Sequence, residues 1–229
     1  MMSLRTRSAE LEIMDDLNCH GEVVDQTLRE LEVINRLLGG DYVTIDGIKK
    51  LLKEKRSYTV ADMGCGGGDL GIKIERWGRK HGFDLSVTGI DANPNIIDFA
   101  RRQYPENKFE ALDVFSDEFR KKQFDIITAT LFVHHLDDEQ LVELFRSLKA
   151  RVGVVINDIH RHSLSYYSIK LLTQLFSKSA MVKFDAPLSV RRAFKRKELI
   201  AILDKAGIKS YTLRWKWAFR WQLVWHNFY

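Results

Sequence analysis

The sequence predicts an α/β protein in which a parallel sheet carries helices on both faces. Three observations lead there. Strand and helix signals alternate from Tyr58 to Asp158, a glycine-rich stretch follows directly on the first apolar run, and the final residues return to a strict two-residue alternation. Parallel neighbours need a crossover of a dozen or more residues, and helices of that length stand between the strand runs.

The elements follow in order. In "VDQTLRELEVINRLLGG", Leu28, Leu31, Ile34, Leu37 and Leu38 recur at helical spacing and Gly39-Gly40 supply a stop. A second short helix is expected around Ile45 to Leu52, leading into a strand over Tyr58 to Met63. Then come a helix over Asp69 to His81, the strand "LSVTGID", a helix over Asn95 to Gln103 and the short strand "KFEAL". The strand "FDIITAT", the helix "DDEQLVELFRSLKA" and the strand "RVGVVINDI" close the alternating part. Beyond Asp158 the rhythm breaks. "RHSLSYYSIKLLTQLFSKSAMV" reads as an inserted helical segment, followed by a loop through Pro187 and by "RKELIAILDKAG", a capped helix that stops at Gly207. The last run, "YTLRWKWAFRWQLVWHNFY", predicts two antiparallel strands around a turn at Trp217 to Phe219. Its alternation favours burial of Trp215, Trp217, Trp221 and Trp225 against the sheet rather than base stacking. The expected organisation is a helical cover over 1–57 and a domain over 58–229 with a helical rim at about 160–195.

Composition bounds the function. At 229 residues and 45% hydrophobic, the chain can bury the core of one α/β domain. No stretch approaches the roughly 18 apolar residues of a membrane span, and "MMSLRTRSAELEIMDD" has no apolar run resembling a signal peptide, so a cytoplasmic protein is expected. Cys19 and Cys65 form no CxxC pair, so both are expected as reduced thiols. A formal charge of +5 permits an anionic partner. The basic residues are interspersed with acids except in "RRAFKRKE", Arg191 to Glu198, which reads first as a solvated helix face and second as a nucleic-acid patch.

The glycine stretch carries the chemistry. At the carboxyl end of a parallel strand, glycines let backbone N–H groups and a helix start approach a ligand closely. Gly64, Gly66 and Gly68 give GxGxG; the dinucleotide spacing would need glycine where Asp69 stands, and the Lys-Ser or Lys-Thr of a phosphate loop is missing. Three acids accompany it. Asp91 closes the second strand, where a carboxylate can accept from both ribose hydroxyls; Asp62 precedes the loop and can attract a cationic group; Asp113 can accept from an adenine amino group, with Leu112 or Val114 beside the ring. Any one of them alone would pass for a solvated or capping residue. The ordered set is what carries the reading.

Taken together, "VADMGCGGGDL", "GIDANPNIIDFAR", "FEALDVF" and "FDIITATLFVHHL" resemble the successive motifs of class I S-adenosylmethionine-dependent methyltransferases, over about Tyr58 to Asp158. The resemblance implies a Rossmann-like seven-stranded sheet with the last strand antiparallel. It implies S-adenosylmethionine as cofactor and S-adenosylhomocysteine as product. By it, Asp62, Gly64, Cys65, Gly66 and Gly68 hold the methionine end, Asp91 and Ala92 the ribose, and Asp113 and Val114 the adenine, while Ala129 lines the sulfonium side. The flanking segments "ELEIMDDLNCHGEVVDQTLRELEVINRLLGG" and "NDIHRHSLSYYSIKLL" are similar to bacterial methyltransferases encoded beside type III polyketide synthases and flavin oxidoreductases. That implies a small-molecule acceptor, aromatic, with a phenolic or polyketide-type hydroxyl.

A phenol gains from a base that removes its proton. His135 is the first candidate, with His134 beside it after the fourth strand and His160 after the fifth, where Asp158 could orient an imidazole. No acidic cluster of the kind metal-dependent relatives use is identifiable, so no metal is expected. Tyr166, Tyr167, Phe176 and Phe184 could line an aromatic acceptor pocket, although aromatics at helical spacing also suit a core. Two other classes remain as alternatives: an RNA methyltransferase acting on ribose or carbon, and an inactive cofactor-binding scaffold. After "FDIITA" stands Thr130-Leu131 rather than an Asn-Pro-Pro-Tyr-like element, which argues against methylation of base amines; a nucleic-acid partner is not expected.

Overall fold

A computed structural model of the chain describes residues 4–226, so Asn227 to Tyr229, read from the sequence as the end of the last strand, lie outside the described residues. Helices α1 (Glu22–Leu37) and α2 (Gly40–Leu51) precede β1 (Ser57–Met63). The series continues through α3 (Asp69–His81), β2 (Asp84–Asp91), α4 (Pro94–Gln103), β3 (Lys108–Ala111), α5 (Asp117–Lys121), β4 (Phe124–Thr130), α6 (Asp138–Ser147) and β5 (Ala150–Ile159). Helices α7 (Ser163–Phe176), α8 (Ala180–Arg192) and α9 (Arg196–Ala206) lead to β6 (Tyr211–Lys216) and β7 (Arg220–His226). One seven-stranded sheet has the order β3-β2-β1-β4-β5-β7-β6, with β7 antiparallel to both of its neighbours and the other pairings parallel.

The two-residue period of the strands sorts the core. Ile126 and Val155 join Val60, Val87 and Val224 on one face, beneath Ile48, Leu51 and Ile74 of α2 and α3. Their chain neighbours Ile127 and Val154 point the other way, to Leu141, Leu144, Leu199 and Leu203 of α6 and α9. Successive side chains of a strand serve opposite faces, so continuous apolar runs are what a sheet covered on both sides requires. Gly47 lets α2 approach closely: a side chain there would start 2.4 Å from Val155.

Strand order reverses between β1 and β4. In open sheets of this kind the ligand crevice lies at that point, outside the carboxyl ends of the strands. Helix α1 lies across it: Val24 and Leu28 pack on Ile96 and Phe99 of α4 and on Met181 of α8.

Three expectations need correction. The stretch through Pro187 is helical rather than a loop. Ser179 caps α8 by accepting from the Val182 N–H, and burial of Met181, Val182, Leu188 and Val190 offsets the roughly 3 kcal/mol cost of an interior proline. The basic cluster is split: Arg192 is buried on Asp15, and Arg191 turns to Glu10. Of the tryptophans, Trp221 and Trp225 are buried whereas Trp215 and Trp217 are exposed, because β6 is the edge strand and Trp217 sits in the turn.

Candidate active site

Polar residues stand at or within two residues of the carboxyl end of each parallel strand: Asp62, Asp91, Asp113, Thr130 and Asp158. After β1, Gly64, Gly66 and Gly68 adopt φ of +64°, +52° and +84°, the left-handed region that glycine enters without steric cost. A side chain at Gly64 would start 2.3 Å from the Phe132 ring and one at Gly68 2.5 Å from the Phe109 ring. The loop is therefore both turned and tightly seated. Cys65 is buried within it, its N–H donating to the Ile90 carbonyl at 3.0 Å, and burial pushes its thiol well above the usual range.

Asp62, at the end of β1, is 2% exposed and accepts from Thr128 Oγ1 at 2.8 Å. Burial pushes its carboxyl up to about 7, and the neighbouring Asp69 and Asp91 add to the effect. Asp91, at the end of β2, receives the Gly66 N–H at 3.2 Å and the Asn93 N–H at 3.0 Å; burial still holds its carboxyl above the usual range. Ala92 follows it, and Asn93 caps α4 through the Asn95 N–H at 2.9 Å. Asp113 is exposed beyond β3, taking the Phe115 N–H at 2.9 Å, with Leu112 and Val114 buried on either side. Ala129 is fully buried among Met63, Ile90 and Ile156, and it is Thr130 that reaches the strand end, its hydroxyl 2.6 Å from that of Thr44.

The histidines separate clearly. Leu131 turns the chain through φ +54° after β4, and a single turn of 3-10 helix, Val133–His135, follows. His134 is 2% exposed; its Nδ1–H donates to Asp158 Oδ1 at 2.7 Å and its backbone N–H to Asp158 Oδ2 at 3.2 Å. Burial alone would raise Asp158, but the His134 contacts prevail and hold it below the usual range. His135 is the more open of the pair, with a side chain 24% exposed, and donates Nδ1–H to Asp15 Oδ1 at 2.5 Å. Asp158 thus orients His134 and not His160, contrary to the expectation. His160 instead lies between Trp221 and His162, tilted against both rings, with centroids 4.8 and 5.5 Å away; burial lowers its pKa, and His162 and Arg161 lower it further.

Sequence reasoning missed the acids that face this pair. Glu12 and Asp15 belong to the segment ahead of α1, where Ile13–Asp15 forms a 3-10 turn pinned by Asp185, which accepts the Ile13 N–H at 2.8 Å and the Met14 N–H at 3.2 Å. Glu12 is 5% exposed, takes the Ser189 hydroxyl at 2.8 Å, and is pushed up to about 7 by burial. Arg192 binds Asp15 and donates to the His135 carbonyl at 2.6 Å. The signal was the three-residue spacing of two acids in "ELEIMDD", a reciprocal capping arrangement. The proposed aromatic pocket does not assemble: Tyr166 is buried, whereas Tyr167, Phe176 and Phe184 are 65%, 77% and 46% exposed.

The crevice offers a cradle of glycine backbone, two enclosed carboxylates, Asp62 and Asp91, that form no ion pair with a lysine or arginine among the described residues, and buried apolar residues flanking Asp113. That donor set fits a cationic nucleoside. A methyltransferase domain family matches residues 60–152, from β1 into β5. The chain is an S-adenosylmethionine-dependent methyltransferase. This methyltransferase is 27% identical over 177 residues to a 2-phytyl-1,4-naphtoquinone methyltransferase of Nostoc sp. (strain PCC 7120), an alignment covering 69% of this chain and 75% of that one. It is 27% identical over 207 residues to a demethylmenaquinone methyltransferase of Chlorobaculum tepidum, covering 81% and 82%. The fold of human N-acetylserotonin methyltransferase, solved with its S-adenosylmethionine, superposes with a TM-score of 0.61 at 16% identity over 88% of this chain and 55% of that one. Among the described residues no helix is long and apolar enough to cross a membrane.

Proposed function

We propose that the methyltransferase acts on the hydroxyl of a small aromatic compound, phenolic or polyketide-type, that enters between the cover at 1–57 and the rim at about 160–195. The observation that carries this reading is His135. It is a half-buried imidazole whose Nδ1 is fixed on Asp15, which leaves Nε2, 4.0 Å from Glu12 Oε2, as the nitrogen to take a proton, and it lies close enough to Asp91 to influence that carboxyl. A carboxylate-backed imidazole at such a place suits a hydroxyl that must lose its proton. The relatives named for naphthoquinone and demethylmenaquinone support a ring-bearing acceptor.

Bound S-adenosylmethionine supplies a methyl group that is already activated, so the chain has mainly to align and to exclude water. On this reading Asp62 and the loop Gly64, Cys65, Gly66 and Gly68 hold the methionine end. Asp91 and Ala92 face the ribose, Asp113 and Val114 the adenine, and the chain around Ala129 and Thr130 the sulfonium. His134, enclosed on Asp158, sets the turn that presents His135.

The test is transfer of a labelled methyl group to a panel of phenols and hydroxylated polyketide rings, followed by location of the label. Label on oxygen, with turnover falling at least about 10²-fold in His135→Ala while S-adenosylhomocysteine affinity stays unchanged, is the expected result. Label on ring carbon, or full turnover in the variant, would overturn it.

A further inference from the structure

Glu12, His134 and His135 each offer one ligand atom, and these three atoms lie within 4.8 Å of one another. His134 Nε2 is 3.6 Å from Glu12 Oε1, and His135 Nε2 is 4.0 Å from Glu12 Oε2. The arrangement has an unmet need at its centre. Glu12 Oε1 and His134 Nε2 are both buried without a hydrogen-bond partner. The Nδ1 of His134 carries the proton it donates to Asp158, so in the neutral ring Nε2 holds a lone pair aimed at a carboxylate oxygen that holds another. Buried polar atoms are normally satisfied, and at 3.6 Å these two are beyond hydrogen-bond range and satisfy neither.

A cation between them satisfies both. We propose that Glu12, His134 and His135 bind one divalent first-row transition metal ion, zinc or a similar cation, through Glu12 and the two Nε2 atoms. Two imidazoles and one carboxylate are a donor set such ions favour, with open positions left over. The outer contacts fit as well. Each ligating histidine ordinarily donates its other ring N–H to a carboxylate, and here both do, His134 to Asp158 at 2.7 Å and His135 to Asp15 at 2.5 Å. Donor atoms around such an ion are about 3 to 3.4 Å apart, so binding would draw together atoms that now lie within 4.8 Å of one another by side-chain rotation. The surrounding charge is also suited. Glu12, Asp15, Asp158 and Asp185 lie around the pair; Arg192 binds Asp15 and stays 3.8 Å from Glu12 Oε1, beyond hydrogen-bond range, while Arg7 donates to the His134 carbonyl at 3.2 Å and Arg220 acts on Asp158. Because His134 and Glu12 are enclosed, the open positions lie on the side of the half-exposed His135, where the acceptor is proposed to enter. With an ion bound, His135 Nε2 would be one of its ligands, and the ion rather than the free imidazole would face the acceptor oxygen.

The site needs only the chain and the cation and goes beyond the acceptor proposed above. It can therefore be tested without cofactor or acceptor. Full-length protein dialysed against chelator is titrated with zinc by calorimetry and with cobalt by visible absorption. One equivalent bound with micromolar or tighter affinity is expected, weakened about 10-fold to 100-fold or more in Glu12→Gln and in His134→Asn, and unchanged in His160→Gln. Binding of S-adenosylhomocysteine by each variant checks that it has folded. Should both ligand variants misfold, zinc X-ray absorption on the unaltered chain decides: two imidazole nitrogens with oxygen are expected. No stoichiometric binding, a shell without imidazole, or equal affinity in folded Glu12→Gln would overturn the site and leave a carboxylate held by its histidines alone. Inactivity toward phenols would leave the metal result standing.

Discussion

Asp62 and Asp158 each stand one residue before the end of a parallel strand of one sheet, β1 and β5, and are equally enclosed, at 2% and 1% exposure. Their charges are held in opposite ways. Asp62 has one hydroxyl partner and two acids for neighbours, and burial pushes it up to about 7. Asp158 has a histidine ring and two backbone N–H groups, from His134 and Ile159, and stays below the usual range despite the same burial. Enclosure alone therefore does not say what a buried acid does. The partner decides: Asp158 is held by a histidine, whereas Asp62 has no basic partner among the described residues, which suits the cofactor role proposed for it.

Asp62→Asn should break the comparison most. It is expected to weaken S-adenosylmethionine binding by about 2 to 3 kcal/mol, the loss of a charge-assisted contact. The same change should stabilise the unliganded chain. A carboxyl raised from 3.8 to about 7 contributes stability fully below pH 3.8 and loses it as pH rises through about 7. The variant has no such slope, so its advantage in chemical denaturation should grow from pH 5 to pH 8, to on the order of 2 to 4 kcal/mol. Equal stability at both pH values would mean that Asp62 is not an unpaired acid.

Asp158→Asn should act on the other side of the contrast, lowering turnover about 10-fold to 100-fold through the His134 turn with cofactor affinity within about twofold. A matching loss of cofactor affinity would show that the two strand ends are not separate devices. The smallest effect belongs to His160→Gln, for which turnover within about twofold of the parent is expected, because no carboxylate orients that ring.

What the sequence disclosed followed from local periodicity. The parallel sheet, its reversed β7 and the glycine loop were all legible because each depends on neighbours a few residues apart. Asp62 and Asp91 were legible as strand ends. The pairing of Glu12 and Asp15 with His134 and His135 was not, since a polar contact across more than a hundred residues leaves no repeating pattern. Tyr166 and Phe176 show the same limit from the apolar side, as helical spacing did not reveal that one is buried and the other open. In α8, local rules misled, because Pro187 spoke for a loop while buried neighbours decided for a helix.

The cover has a consequence for timing. Leu28 of α1 stands over the glycine loop, 3.7 Å from where side chains at Gly66 and Gly67 would begin. Its roof is apolar, held to α4 and α8 by a small satellite cluster rather than by the main core. Exchange of spent cofactor for fresh past Leu28 would call for α1 to lift, and such openings commonly run in microseconds to milliseconds. On that route the pace of turnover would depend on how firmly one helix is seated, and loosening Val24 or Leu28 is expected to hasten product departure even as it shortens the stay of the substrate.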